Sequence, residues 1–129
     1  MDQANSPKFL RFWFPVILYS GIIFCASSIP NVKTPLQEIH FDWILHILIY
    51  MPFGFLWARA VGNTKPSISR GMLFVSLVLV SFLYGLSDEF HQSFVLGRNA
   101  GIDDVIADTI GGVIGGYIYP LLLSCVKGK

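Results

Sequence analysis

Residues 42–61 read DWILHILIYMPFGFLWARAV, and this stretch decides the fold. Roughly 20 residues of mostly apolar helix are what a bilayer core requires, yet this run carries Asp42, His46 and Tyr50. Their spacing is i, i+4, i+8, so each turns only about 40° from the last and the three form one stripe. The stripe descends from the interface to a depth of about 12 Å. Such groups are costly in hydrocarbon unless they face protein or water. Read singly, they are a loop-end carboxylate, a histidine bonded to a nearby carbonyl and an interfacial tyrosine. Read together, they mark the buried face of a helix with neighbours.

Three more stretches of similar length supply those neighbours. They run from about Phe9 to Ser28, from about Gly71 to Gln92 and from about Asp104 to Val126. Pro15 interrupts the first, where a membrane helix tolerates it. The connections Ile29 to Phe41, Gly62 to Arg70 and Ser93 to Asp103 are too short for a soluble domain. Composition agrees: 53% of residues are hydrophobic and only 13% are charged, where a soluble domain is nearer one quarter charged. The expected fold is all-α, a polytopic four-helix transmembrane bundle forming one domain over residues 1–129. The first span also has a signal-peptide layout, with small residues around Cys25 to Ser28, but Ser-Ile-Pro is a poor processing site. Cys25 and Cys125 fall at opposite ends of different spans, beyond disulfide reach.

Charge orients the bundle. Lys8, Arg11, Arg59, Lys65, Arg70, Lys127 and Lys129 lie in the tails and the middle connection, opposed there only by Asp2. Glu38, Asp42, Asp88, Glu89, Asp103, Asp104 and Asp108 lie in or beside the other two connections, with Lys33 and Arg98. Short loops rich in Lys and Arg stay in the cytoplasm, which predicts both termini inside and the acidic connections outside. Nucleic-acid binding would need a basic face in polar surroundings, and these cations flank apolar helices instead. Trp13, Trp43 and Trp57 read in part as interfacial anchors.

The third span carries Tyr84, Asp88 and Gln92 at i, i+4, i+8, with Glu89 beside them and Gly85 one turn below Glu89. The fourth begins with Asp104 and Asp108, followed on the same face by Gly111 and Gly115. The pairs Gly111/Gly115 and Gly112/Gly116 have the spacing that lets helices approach closely. Asp103 or Asp104 can cap the helix and meet its dipole, whereas Asp108 lies a further turn inside. His46, Tyr50, Glu89, Gln92, Asp104 and Asp108 are therefore directed to one half of the bundle. Crowded carboxylates repel, so the cluster calls for shared protons, a cation, or the guanidinium of Arg98. Arg98 is expected over the acids, as an ion-pair partner or as a fork for a phosphate or carboxylate.

The stretch from Asp42 to Gly54 resembles the first motif of VanZ-like membrane proteins. Glu89 to Arg98, followed by Asp104 to Gly111, resembles the second, and Ser27-Ser28-Ile-Pro30 is also typical of the family. Trp43, Leu96 and Asp108 stand where the family usually has Lys, Pro and Asn. The resemblance implies a small protein of the bacterial inner membrane. It also implies a link to glycopeptide resistance, since the founding member is associated with resistance to teicoplanin.

Three functions compete on these residues. In the first, an outward pocket binds or modifies a lipid or lipid-linked headgroup of the cell envelope. His46 or Glu89 would then act as general base, with Asp42, Tyr50, Gln92 and Arg98 binding substrate. Asp104 and Asp108 would orient the base or hold a divalent cation. In the second, the cluster is a structural network inside a non-catalytic scaffold, so enzymatic activity stays open. A transporter is disfavoured, because Met72 to Val80 contains only Ser76 as a polar group and leaves no continuous path.

Overall fold

A computed structural model describes residues 6–30 and 42–127, which form four α-helices and no strand: α1 Ser6–Ser27, α2 Asp42–Thr64, α3 Arg70–Gln92 and α4 Ile102–Lys127. All four are long and apolar enough to cross a membrane. Each agrees with its expected span to within a few residues, and the excess is polar sequence that continues a helix past its apolar part. Only 11% of the α1 span and 39% of the α2 span is buried within the bundle. Leu10, Ile17, Leu79 and Phe90 are among the many large apolar side chains left exposed. Patches of that extent are foreign to soluble monomers, so lipid is their solvent.

Local sequence sets the helix ends. Ser69 caps α3, its hydroxyl accepting from Met72 N at 3.2 Å, which satisfies one of the free amides of a first turn. Beyond α3 the chain reverses through Gly97, whose φ of 78° is left-handed and suits a residue without Cβ. Asp103 and Asp104 occupy the first turn of α4, where carboxylates meet the positive end of the helix dipole.

The helices alternate in direction. One end of the bundle gathers Asp42, Asp88, Glu89, Asp103, Asp104 and Asp108; the other gathers Lys8, Arg11, Arg59, Lys65 and Arg70. These are called the acidic and basic ends below. Arg98 is the one Lys or Arg at the acidic end among the described residues, while Lys33 and Glu38 lie outside them.

The parallel helices α2 and α4 make the closest contact, and glycine is the reason. A Cβ on Gly111 would strike the Ile47 carbonyl, one on Gly115 the Met51 carbonyl, and one on Gly54 the Gly112 backbone. One four-residue step further, Phe55 and Tyr119 meet edge to face at 5.5 Å. The second glycine pair serves α3, because Gly112 abuts Ser81 and Gly116 abuts Leu77. The two interleaved pairs of α4 thus seat two different neighbours. Packing of this kind drives helix association where lipid removes the hydrophobic force.

α1 joins differently. Val16 and Ile23 bury against Tyr50, Phe53 and Ala60, and Trp13 meets Trp57 edge-on at 5.0 Å. Its ties include hydrogen bonds to main-chain carbonyls: Tyr84 Oη donates to Ser20 O at 2.6 Å and Tyr19 Oη to Ile49 O at 2.8 Å. Cys25 and Cys125 are free and exposed, on α1 and α4.

Candidate functional site

The close contact of α2 and α4 fixes the first element of the site. His46 Nδ1 stands 2.9 Å from Asp108 Oδ1. An ionised carboxylate only accepts, so the imidazole donates. The Asp108 side chain is wholly buried and that of His46 is 12% exposed. Asp108 reaches this depth because Gly85 of α3 leaves room: a Cβ there would lie 2.9 Å from Asp108 Oδ2. On the other edge of the ring, Nε2 is 4.0 Å from Asp104 Oδ1.

α3 contributes the second element. Asp88, Glu89 and Gln92 are all buried, at 5%, 4% and 4% exposure. Gln92 Nε2 donates to Asp88 Oδ2 at 3.1 Å, and Glu89 Oε2 accepts from Gly101 N at 2.8 Å, pinning the loop before α4. One ring nitrogen of His46, one oxygen of Glu89 and one of Asp108 lie within 4.8 Å of each other.

A cavity of about 70 Å³ opens beside this cluster, lined by Ser27, His46, Tyr50, Asp88, Gln92 and Arg98 with apolar residues of α1 and α2. That is the liquid volume of about two water molecules. Around the cluster and cavity, Tyr50 Oη, Asp88 Oδ1, Glu89 Oε1 and Asp108 Oδ2 are buried without a hydrogen-bond partner among the described residues. Buried polar atoms are nearly always paired, so four orphans in one place is the least ordinary feature of the molecule.

Arg98 departs from expectation. Among the described residues its guanidinium pairs with no carboxylate. Nε donates to Ile29 O at 3.1 Å and Nη2 to Ala26 O at 3.1 Å. The cause is geometric: the turn at Gly97 aims the side chain at the end of α1, where helical carbonyls lack partners and carry partial negative charge. Arg98 still lines the cavity. Beside it His91, stacked on Phe24 at 4.3 Å, bonds Ser28 Oγ through Nε2 at 2.9 Å.

The expected stripe of α2 is divided between two places. His46 and Tyr50 line the cavity, whereas Asp42 is exposed in an open groove of about 440 Å³ with Trp43, Asp103, Asp104 and Ile106. Glu89 and Gln92 fall where their pattern points. Of the two aspartates considered for a cation, Asp108 sits with His46 and Glu89, and Asp104 lies between that group and the groove. Asp88 was passed over as a site residue, although its i, i+4 spacing to Gln92 carried the signal. Ser27 was marked in the sequence only by the Ser27-Ser28-Ile-Pro30 motif, and the Ala26 carbonyl by nothing, since only the docking of α1 brings them in.

These residues coincide with the motifs that suggested a family. The sequence profile of the VanZ/LLP1 family matches residues 9–123. No curated protein and no solved structure matches the chain. The match spans all four helices and every site residue named above, and with four membrane-length segments it makes this a multi-pass membrane protein that belongs to the VanZ/LLP1 family.

Proposed function

We propose that the cavity at the acidic end receives the tip of an anionic headgroup, carried by a cell-envelope lipid or a lipid-linked envelope precursor. The observation that supports this reading most is Arg98, the one Lys or Arg at the acidic end among the described residues, standing in the wall of this small polar cavity. A volume of about 70 Å³ suits a phosphate or carboxylate tip and excludes a whole headgroup. Arg98 supplies a planar cation at the rim, and its remaining guanidinium hydrogens are suited to a two-oxygen anion. Tyr50 and Gln92, which line the cavity, complete the binding surface, and Asp42 in the neighbouring groove stays outside it. In the catalytic form of this reading His46, oriented by Asp108, or Glu89 acts as general base. The cationic connections would lie in the cytoplasm of a bacterial inner membrane, with both termini inside and the cavity outside. The family's association with glycopeptide resistance would place that role at the same outer surface.

Mass spectrometry of lipids that co-purify with the protein tests the binding. Enrichment of one anionic species over the bulk membrane is expected, with loss of that enrichment in Arg98→Gln. A lipid profile equal to bulk membrane would end the headgroup reading. Glu89→Gln should abolish a resistance phenotype while membrane expression stays intact, and full activity in that variant removes Glu89 from the chemistry.

The scaffold reading keeps one specific support: Glu89 and Arg98 each tie a loop or helix end through main-chain atoms. Since the two bond different partners, exchanging their charges should not restore either variant. On the scaffold reading, both single variants lose folded yield without altering the lipid profile.

A further inference from the structure

We infer that His46, Glu89 and Asp108 form a binding site for one divalent transition-metal ion of the zinc or manganese type, held between α2, α3 and α4. Three observations carry this. The donor atoms, one from each side chain, lie within 4.8 Å of one another. Ligands at 2.0–2.2 Å from zinc stand roughly 3–4 Å apart, so side-chain adjustments below about 1 Å close the set. Glu89 and Asp108 are 4% and 0% exposed, and among the described residues each keeps one oxygen, Oε1 and Oδ2, without a partner. An ion in their midst satisfies both. Charge gives the third argument. Two buried carboxylates in a membrane-embedded bundle are expensive, and a dication with neutral His46 brings the group to zero.

The donor set narrows the ion. One imidazole and two carboxylates suit zinc or manganese; magnesium and calcium prefer oxygen alone, and copper(I) prefers thiolate. Both cysteines are exposed away from this cluster. Three protein ligands leave further coordination positions open, as catalytic metal sites do. A further carboxylate oxygen, Asp104 Oδ1, stands 4.0 Å from His46 Nε2.

This inference stands on donor geometry and does not need the headgroup reading. The test is direct. Protein purified in detergent, stripped with a chelator and dialysed, is titrated with Zn²⁺ and with Mn²⁺ by calorimetry, and its thermal midpoint is read with and without each metal. One ion per chain should bind, with a rise in the midpoint, because a ligand that binds only the folded state stabilises it. Loss of groups outside a ligand set already costs about 10–100-fold in metal affinity, so Asp108→Asn and Glu89→Gln should each lose at least that much. Asp108→Asn preserves side-chain shape, and Asp103→Asn in the neighbouring groove should bind like wild type. Should a variant fail to fold, the stoichiometry and midpoint shift of the wild-type protein decide alone. No uptake by the wild type, or equal affinity in Asp108→Asn, Glu89→Gln and Asp103→Asn, overturns the site. Lipid enrichment without metal uptake would sink this inference and leave the headgroup reading standing; metal uptake with a bulk lipid profile would do the reverse.

Discussion

α4 and α1 meet the same partner, α2, in opposite ways. Between α4 and α2 the backbones touch, Gly111 on Ile47, Gly115 on Met51 and Gly54 on Gly112, with no side chain between them. α1 stands off at side-chain distance, held by aromatic edges, by the Tyr84 hydroxyl and a guanidinium that reach its carbonyls, and by its own Tyr19 hydroxyl, which donates to Ile49 O of α2. A backbone contact has no rotamer to change, while a side-chain tie can be made and broken. The difference assigns the two walls of the site: His46 and Asp108 sit beside the backbone seam, and Ala26 and Ser27 sit on the helix held by side-chain ties.

The seam breaks most severely. Gly115→Ala would place a Cβ against the Met51 carbonyl, with no flexible side chain available to yield. Overpacking costs about 1–3 kcal/mol when side chains can shift, and here a backbone must. The expected result is a loss at the top of that range or beyond, seen as reduced folded yield and a lower denaturation midpoint in detergent. Gly21→Ala on α1 meets nothing within 4 Å and should be neutral or gain about 0.5–1 kcal/mol from lower backbone entropy. Equal behaviour of the two variants would refute the seam.

Next in size is the polar pair the seam supports. His46→Ala leaves Asp108 Oδ1 wholly buried without its donor. An orphaned buried group costs about 1–3 kcal/mol, more when charged. Asp42→Ala, exposed in the open groove, belongs with surface changes, usually within about ±0.5 kcal/mol. Unfolding curves of the two separate a buried pair from a solvated stripe. Similar losses would mean that Asp42 carries structural weight the exposed position denies.

Much of this was legible in the chain. Span lengths and charge partition follow from the bilayer, which leaves few alternatives for an apolar run of that length. The convergence of His46, Glu89 and Asp108 followed from helical spacing, since 100° per residue fixes which side chains share a face. Gly111/Gly115 and Gly112/Gly116 advertised two close contacts, and two were found. Arg98 was misread for a physical reason: charge complementarity drew it toward the acids, and sequence spacing holds no information on where the carbonyls of α1 end. Asp42 failed similarly. A helical stripe predicts azimuth and says nothing of depth, so its outermost member was grouped with residues one and two turns further in.

The α1 ties should be weaker, in graded steps. Arg98→Ala removes two charge-assisted bonds to the Ala26 and Ile29 carbonyls. Such bonds are each worth about 1.5–3 kcal/mol when buried, and partial exposure brings the pair down to about 1–2 kcal/mol. Spin labels on α1 and α3 should report a broadened separation at the acidic end, and an unchanged distribution would show that α1 is held by packing alone.

The smallest effect isolates one bond. Tyr84→Phe keeps the ring between Tyr50 and Phe53, at 6.1 and 5.2 Å between centroids, and deletes only the hydroxyl that donates to Ser20 O. Hydrogen bonds between membrane helices average about 0.6 kcal/mol. A loss near that value would mark α1 as a helix docked by several modest ties. A loss of several kcal/mol would instead make Ser20 and Tyr84 a structural anchor equal to the glycine contacts, and the contrast between the two walls would disappear.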